Sequence, residues 1–65
     1  MIYVNGNQQE DAASVSALLE RLGLGESPRG VAVALDGEVL PRGQWSSARL
    51  HDGARVEVVG AIQGG

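Results

Sequence analysis

The amino-acid sequence predicts an α+β fold, a mixed four- to five-stranded sheet with one helix packed on one face. Three observations carry this expectation. Apolar residues fall at helical spacing in one stretch only, around residues 15–22. Short apolar runs stand on both sides of it, each too brief for a helix and bordered by a turn signal. Those signals are Asn5-Gly6, Asp36-Gly37 and Asp52-Gly53, dipeptides suited to the positive-φ positions of tight turns.

Taken in order, residues 1–4 form a short apolar strand that Asn5-Gly6 turns back on itself. The polar stretch 7–11 is the returning strand, and its lack of apolar residues places it at an exposed edge. Ser14 is an N-cap for a helix whose Val15, Leu18, Leu19 and Leu22 share one face. Gly23 supplies the left-handed residue that ends the helix, with Leu24 positioned for the hydrophobic contact of a Schellman ending. Arg21 lies in the last turn, where a cation suits the helix dipole. A helix of about two turns does not hold alone, so its leucine face must dock on the sheet.

Residues 25–30, Pro28 among them, read as a loop. The run 31–35 is apolar on both faces, as expected of a strand inside a sheet. Asp36-Gly37 turns it into residues 38–40, and Pro41 stops that second strand. Residues 42–51 are less regular; Trp45 and Leu50 are expected as core contacts, with a single helical turn between them. Residues 55–59 make the last strand. Ile2, Val4, Val31, Val33, Leu35, Val56 and Val58 would line the covered side of the sheet. With the first and last strands adjacent and central, this is the β-grasp arrangement: a domain over residues 1–59 and a flexible tail over 60–65.

Composition narrows the function. Sixty-five residues make one small domain. Ten glycines and only two aromatics, Tyr3 and Trp45, leave a thin core and imply marginal stability. With no cysteine and one histidine, neither a disulfide nor a metal cage can compensate. The net charge of −3, with arginines scattered at 21, 29, 42, 49 and 55, gives nucleic-acid binding no support. The longest apolar run, residues 31–35, is far short of a membrane span, and the absence of a signal-peptide pattern makes the cytoplasm the expected compartment. One lone histidine and scattered acids assemble no nucleophile–base pair or carboxylate dyad, so the chain is expected to be no enzyme itself.

The last six residues, Gly60-Ala61-Ile62-Gln63-Gly64-Gly65, break the pattern. They carry no charge beyond a terminal carboxylate and no turn signal. The last four, extended, reach roughly 13 Å. Glycine has no Cβ, so the backbone of Gly64-Gly65 can approach a reaction centre closely. A carboxylate on such an arm suits activation by ATP inside another protein's site, and flexibility lets it visit two sites in turn. A terminal glycine pair arises by chance in roughly one chain in forty of this composition; it gains weight by ending a chain that leaves the sheet directly.

Several stretches carry a family resemblance: Ile2-Tyr3-Val4-Asn5-Gly6, then Val33-Ala34-Leu35-Asp36-Gly37-Glu38-Val39-Leu40-Pro41-Arg42 with Trp45 following. Leu50-His51-Asp52-Gly53-Ala54-Arg55-Val56-Glu57-Val58-Val59 and Ala61-Ile62-Gln63-Gly64-Gly65 complete it. Over essentially its whole length the chain resembles the ThiS family, the sulfur carriers of thiamine-thiazole biosynthesis within the ubiquitin-like β-grasp group. Asp36 stands where asparagine is common in that family, and Asp-Gly serves the same turn.

The resemblance implies that Gly65 is covalently modified: adenylated by a ThiF-type adenylating enzyme with Mg-ATP, then converted to a thiocarboxylate by a sulfur-transfer protein or cysteine desulfurase. The thiocarboxylate would give its sulfur to a ThiG-type thiazole synthase. Ala61, Ile62, Gln63 and Gly64 would be the partner-binding tail. The protein would be a cosubstrate, monomeric when free, with no cofactor of its own. Two neighbouring roles share the terminal chemistry, the small subunit of molybdopterin synthase and a ubiquitin-like modifier. Trp45 is expected to pack against the domain and not to serve as a partner anchor, and His51 to be a solvated loop residue. The absence of lysine among the basic residues suits a carrier of an activated acyl group, because arginine stays protonated and does not attack it.

Overall fold

A computed structural model describes residues 1–25 and 29–60. In chain order they form β1 (Ile2–Val4), β2 (Asn7–Gln9), α1 (Val15–Arg21), β3 (Val31–Leu35), β4 (Glu38–Leu40), a 3-10 turn (Arg42–Gln44) and β5 (Arg55–Gly60). The five strands make one sheet in the order β2-β1-β5-β3-β4. β1 and β5 are its parallel central pair, with the other neighbours antiparallel. The polar strand lies at one edge, as its composition requires, although β2 is only three residues long. The sequence-based expectation of a loop through Pro28 lies partly outside the described residues.

Two hairpin turns follow from their dipeptides. Asn5 and Gly6 sit at φ +52° and +86°, and Asp36 and Gly37 at +51° and +88°. Both central residues of a type I′ turn need positive φ, which Asn, Asp and Gly reach most cheaply. The third turn differs: Gly53 alone is at positive φ (+85°), and the Ala54 N–H donates to the His51 carbonyl at 3.0 Å. That is the pattern of a turn needing glycine only at its third position.

The helix is capped at both ends by the residues that composition singled out. Ser14 Oγ accepts from the Ala17 N–H at 3.1 Å, and the Ser14 carbonyl accepts from Leu18. The two remaining first-turn donors, Val15 and Ser16, reach the carbonyls of Ala48 and Trp45. The three N–H groups of the first turn that lack an intrahelical partner, those of Val15, Ser16 and Ala17, are thereby satisfied. At the other end Gly23 donates to Glu20 and Leu24 to Leu19, both at 2.9 Å, the paired bonds of a Schellman ending. Arg21 does more than meet the dipole: its guanidinium donates to the successive carbonyls of Glu10 and Asp11, at 2.6 and 2.8 Å.

The helix packs its apolar face on the sheet. Ile2, Val4, Val15, Leu18, Leu19, Val33, Trp45, Ala54 and Val56 form the buried core. Val31, Leu35 and Val58 pack against it, so all seven residues expected on the covered side lie there. Trp45 is a core contact, as expected: it is 2% exposed, and its indole Nε1–H donates to the Leu40 carbonyl at 3.0 Å. The Arg42 guanidinium lies 4.8 Å from the centre of its ring.

The crossover also departs from expectation. The helical turn precedes Trp45, over Arg42–Gln44, instead of following it. Pro41 is extended and fixes the entry to that turn. The carbonyls of Trp45 and Ala48 serve the start of α1, so they are committed to bonds outside any local helix. Leu50 is half-buried against the core, as expected.

Candidate functional site

The site is organised by where β5 ends. This central strand runs Arg55–Gly60, one residue beyond the sequence-based boundary, and Gly60 pairs with Val31 at the start of β3. β1 pairs with β5 only as far as Val56, so the last described residues of this central strand are held by β3 on one side. The candidate site residues Ala61, Ile62, Gln63, Gly64 and Gly65 lie outside the described residues.

Asn5 anchors this exit, a role that its turn assignment did not reveal. Its side-chain Oδ1 accepts from the Val58 N–H at 2.9 Å, and its Nδ2 donates to the Val58 carbonyl at 3.2 Å. The Asn5 backbone N–H donates to the Val56 carbonyl at 2.9 Å. A carboxamide offers one acceptor and donors on a single plane, as a peptide group does. Asn5 thus extends the β1–β5 ladder beyond the end of β1, two residues before Gly60. The positive φ that makes Asn5 a turn residue also aims its side chain at β5.

The strand alternation separates two faces around the exit. Val56, Val58 and Gly60 fall on the covered side, and Arg55, Glu57 and Val59 on the open side. In register with them on the open side stand Tyr3, Ala32, Ala34 and Val39. Val59 and Val39 are 66% and 81% exposed, so an apolar strip crosses the sheet beside the exit, with Arg55 and Glu57 at one end. Alternation alone foretold the covered side; the open strip needed the pairing register, which places Ala32 opposite Val59 and Ala34 opposite Val39.

A polar cluster holds the far end of β5. Asp36 Oδ1 accepts from the Arg55 N–H at 2.9 Å, and Asp36 Oδ2 lies 2.7 Å from His51 Nε2. His51 Nδ1 lies 2.8 Å from the Asp52 carbonyl. His51 is exposed but is more than a solvated loop residue, because it links the β3–β4 turn to the loop entering β5. Both ring nitrogens face acceptors, so only the imidazolium can donate to both. The Asp36 carboxylate, then the Asp52 carbonyl, hold the His51 pKa above its ordinary value. The Arg55 amide, then His51, hold Asp36 below its own. Nearby, Asp52 and Asp11 both meet the Met1 ammonium, at 2.7 and 2.6 Å, and that contact lowers Asp52.

Among the described residues, no group of three or more His, Asp or Glu side chains could hold a metal ion. Also among them, no helix is long and apolar enough to cross a membrane.

A five-stranded mixed sheet grasping one helix, with the last strand at its centre, defines a small ubiquitin-like β-grasp domain. The ThiS family model matches residues 1–65. The chain belongs to the ThiS family, the sulfur carriers of thiamine biosynthesis. It is similar to the thiamine biosynthesis protein ThiS of Geobacter metallireducens, solved as a crystal structure: 34% identity, 98% of this chain and 97% of that one covered, TM-score 0.76. A solution NMR structure of a thiamine biosynthesis protein from that organism matches with the same identity and TM-score, over 98% and 86% of the two chains. Among curated proteins, one named thiazole synthase from Paramagnetospirillum magneticum is 35% identical over 66 residues. The chain spans about a fifth of that relative's length (20%) and is itself covered to 98%.

Proposed function

We propose that the Gly65 carboxylate of this chain is the working group of the carrier. A carboxylate oxygen attacks the α-phosphorus of Mg-ATP in a ThiF-type adenylating enzyme, and pyrophosphate leaves. The resulting acyl adenylate is a carbonyl with a good leaving group. A persulfide on a sulfur-transfer protein or cysteine desulfurase attacks that carbonyl carbon and AMP departs; a thiol then reduces the S–S bond of the acyl disulfide, itself becoming a disulfide, and the thiocarboxylate is released. Thiazole synthase then takes the sulfur, and hydrolytic return of the carboxylate readies the carrier for another cycle. The carrier contributes its terminus and its recognition surface, and its partners contribute the catalysis.

One observation supports this reading best: β5, the sheet's central strand and the element that precedes residues 61–65, is pinned at Val58 by Asn5. A well-anchored last strand fixes the position from which residues 61–65 are presented, which lowers the ordering cost of docking on a partner. The apolar strip with Val59 beside the exit gives the adenylating enzyme a surface to hold while the arm is threaded. Thiazole synthase as acceptor draws support from the Paramagnetospirillum relative, whose name is that activity and which carries a matching stretch within a longer chain.

The test is removal of Gly65. ATP–pyrophosphate exchange by a ThiF-type enzyme should be lost while far-UV circular dichroism and the melting temperature stay those of the parent. Exchange that persists without Gly65 rules the terminus out as the activated group.

A further inference from the structure

Asparagine is chemically labile, and most so ahead of glycine, whose missing Cβ lets its backbone nitrogen approach the neighbouring side chain. The chain has two asparagines; Asn5 precedes Gly6, whereas Asn7 precedes Gln8. Both residues of the Asn5-Gly6 turn are exposed, and a Cβ built on Gly6 would meet nothing within 4 Å, so water reaches the site freely. What stands against reaction is the clamp on the side chain. Oδ1 accepts from the Val58 N–H at 2.9 Å and Nδ2 donates to the Val58 carbonyl at 3.2 Å, so the carboxamide is committed to β5. The turn backbone is fixed as well, at φ +52° and +86°, between the paired residues Val4 and Asn7.

We propose that Asn5 is a deamidation site that β5 keeps closed, reacting only in molecules whose Asn5–Val58 bonds have opened. The Gly6 nitrogen attacks Asn5 Cγ and gives its proton to solvent. The new N–C bond closes a five-membered succinimide, and the Cγ–Nδ2 bond breaks as ammonia leaves with a proton from solvent. Water then opens the ring at either carbonyl, giving aspartate or isoaspartate at residue 5. One water is consumed and one ammonia released, with no oxidation or reduction. The aspartate product keeps the acceptor for the Val58 N–H but loses the donor to the Val58 carbonyl. Isoaspartate lengthens the backbone by one methylene and no longer fits a two-residue turn. Either product weakens the hold on β5 past Val56, the stretch where β1 no longer pairs with it. Residue 5 is therefore a one-way record of how often the last strand comes loose, and this holds whether or not the chain carries sulfur.

The experiment follows the full chain at mildly alkaline pH by intact mass, which gains the difference between NH2 and OH, with fragmentation to place the change. Conversion at Asn5 should be at least about tenfold slower in buffer than in concentrated urea, where the clamp is gone. Amide hydrogen exchange on the same samples reads the clamp directly, because the Val58 N–H makes one of its two bonds. At urea concentrations below the unfolding transition, conversion should rise in parallel with Val58 exchange and not with exchange at Val33, which is buried in the core. The product, separated by its added negative charge, should exchange faster than the parent at Val58 and equally at Val33. Conversion as fast in the folded chain as in urea overturns the proposal. So does conversion that tracks Val33 exchange, which assigns the protection to the whole fold, or conversion that falls first on Asn7.

Discussion

Removing the Asn5 side chain tests the anchoring of the β5 exit. Asn5→Gly keeps a residue that tolerates φ of +52° while deleting both bonds to Val58, of 2.9 and 3.2 Å. Exposed hydrogen bonds of this kind contribute about 0.5–1 kcal/mol each, or about 1–2 kcal/mol for the pair. Glycine adds about 0.4–1 kcal/mol of chain entropy to the unfolded state. The sum is about 1.5–3 kcal/mol. At about 4–8 °C per kcal/mol for a domain of this size, the melting temperature should fall on the order of 10 °C. Asn5→Asp separates the side chain from the backbone effect: it retains the acceptor for the Val58 N–H but sets a carboxylate against the Val58 carbonyl. Its loss should be about 1 kcal/mol, with no added chain entropy. Thermal unfolding followed at 222 nm reads the stability. Hydrogen exchange at Val58 reads the locality and should accelerate in both variants more than at Val33. If both variants melt within about 1 °C of the parent and Val58 exchange is unchanged, the ladder extension by Asn5 carries no weight and the reasoning is refuted.

The remaining predictions concern the core, the polar cluster and the open face. Leu18→Ala empties a fully buried position and should cost about 2–5 kcal/mol, comparable to the whole stability of so small a domain, so calorimetry should find a largely unfolded population. His51 has its folded pKa raised, so its contribution is full below its ordinary value of 6.5 and is lost as pH rises through the raised value. Asp36 is lowered, so its contribution is full above 3.8 and is lost as pH falls through the lowered value. Melting temperature against pH should therefore decline on the alkaline side of about 6.5, and His51→Gln should flatten that decline; an unchanged profile contradicts the pairing. Val59→Asp, on the open strip, should change stability by about 1 kcal/mol or less while raising the KM of the adenylating enzyme for the carrier several-fold.

Local rules made much of the fold legible. Asn5-Gly6 and Asp36-Gly37 announced hairpins because few residues reach positive φ, and both turns have it. The spacing of Val15, Leu18 and Leu19 between Ser14 and Gly23 announced a helix that the structure caps at those two residues. What stayed hidden depends on groups distant in sequence. The crossover after Pro41 takes its shape from carbonyls that meet the start of α1, about thirty residues away, and no periodicity encodes that. Ala54 is fully buried, yet nothing in a small residue beside Asp52-Gly53 marks it as core. The second role of Asn5 and the pairing of His51 with Asp36 require knowing which strand lies next to which. The expected site residues 61–65 lie outside the described residues, and their reading rests on the family resemblance.

Intact mass spectrometry of the chain tests the carrier account most directly. After incubation with Mg-ATP, a ThiF-type enzyme and a sulfur donor, one oxygen should be replaced by sulfur, and fragmentation should place the change at Gly65. An unchanged mass with an enzyme that activates another member of the family, or sulfur located anywhere but Gly65, contradicts it.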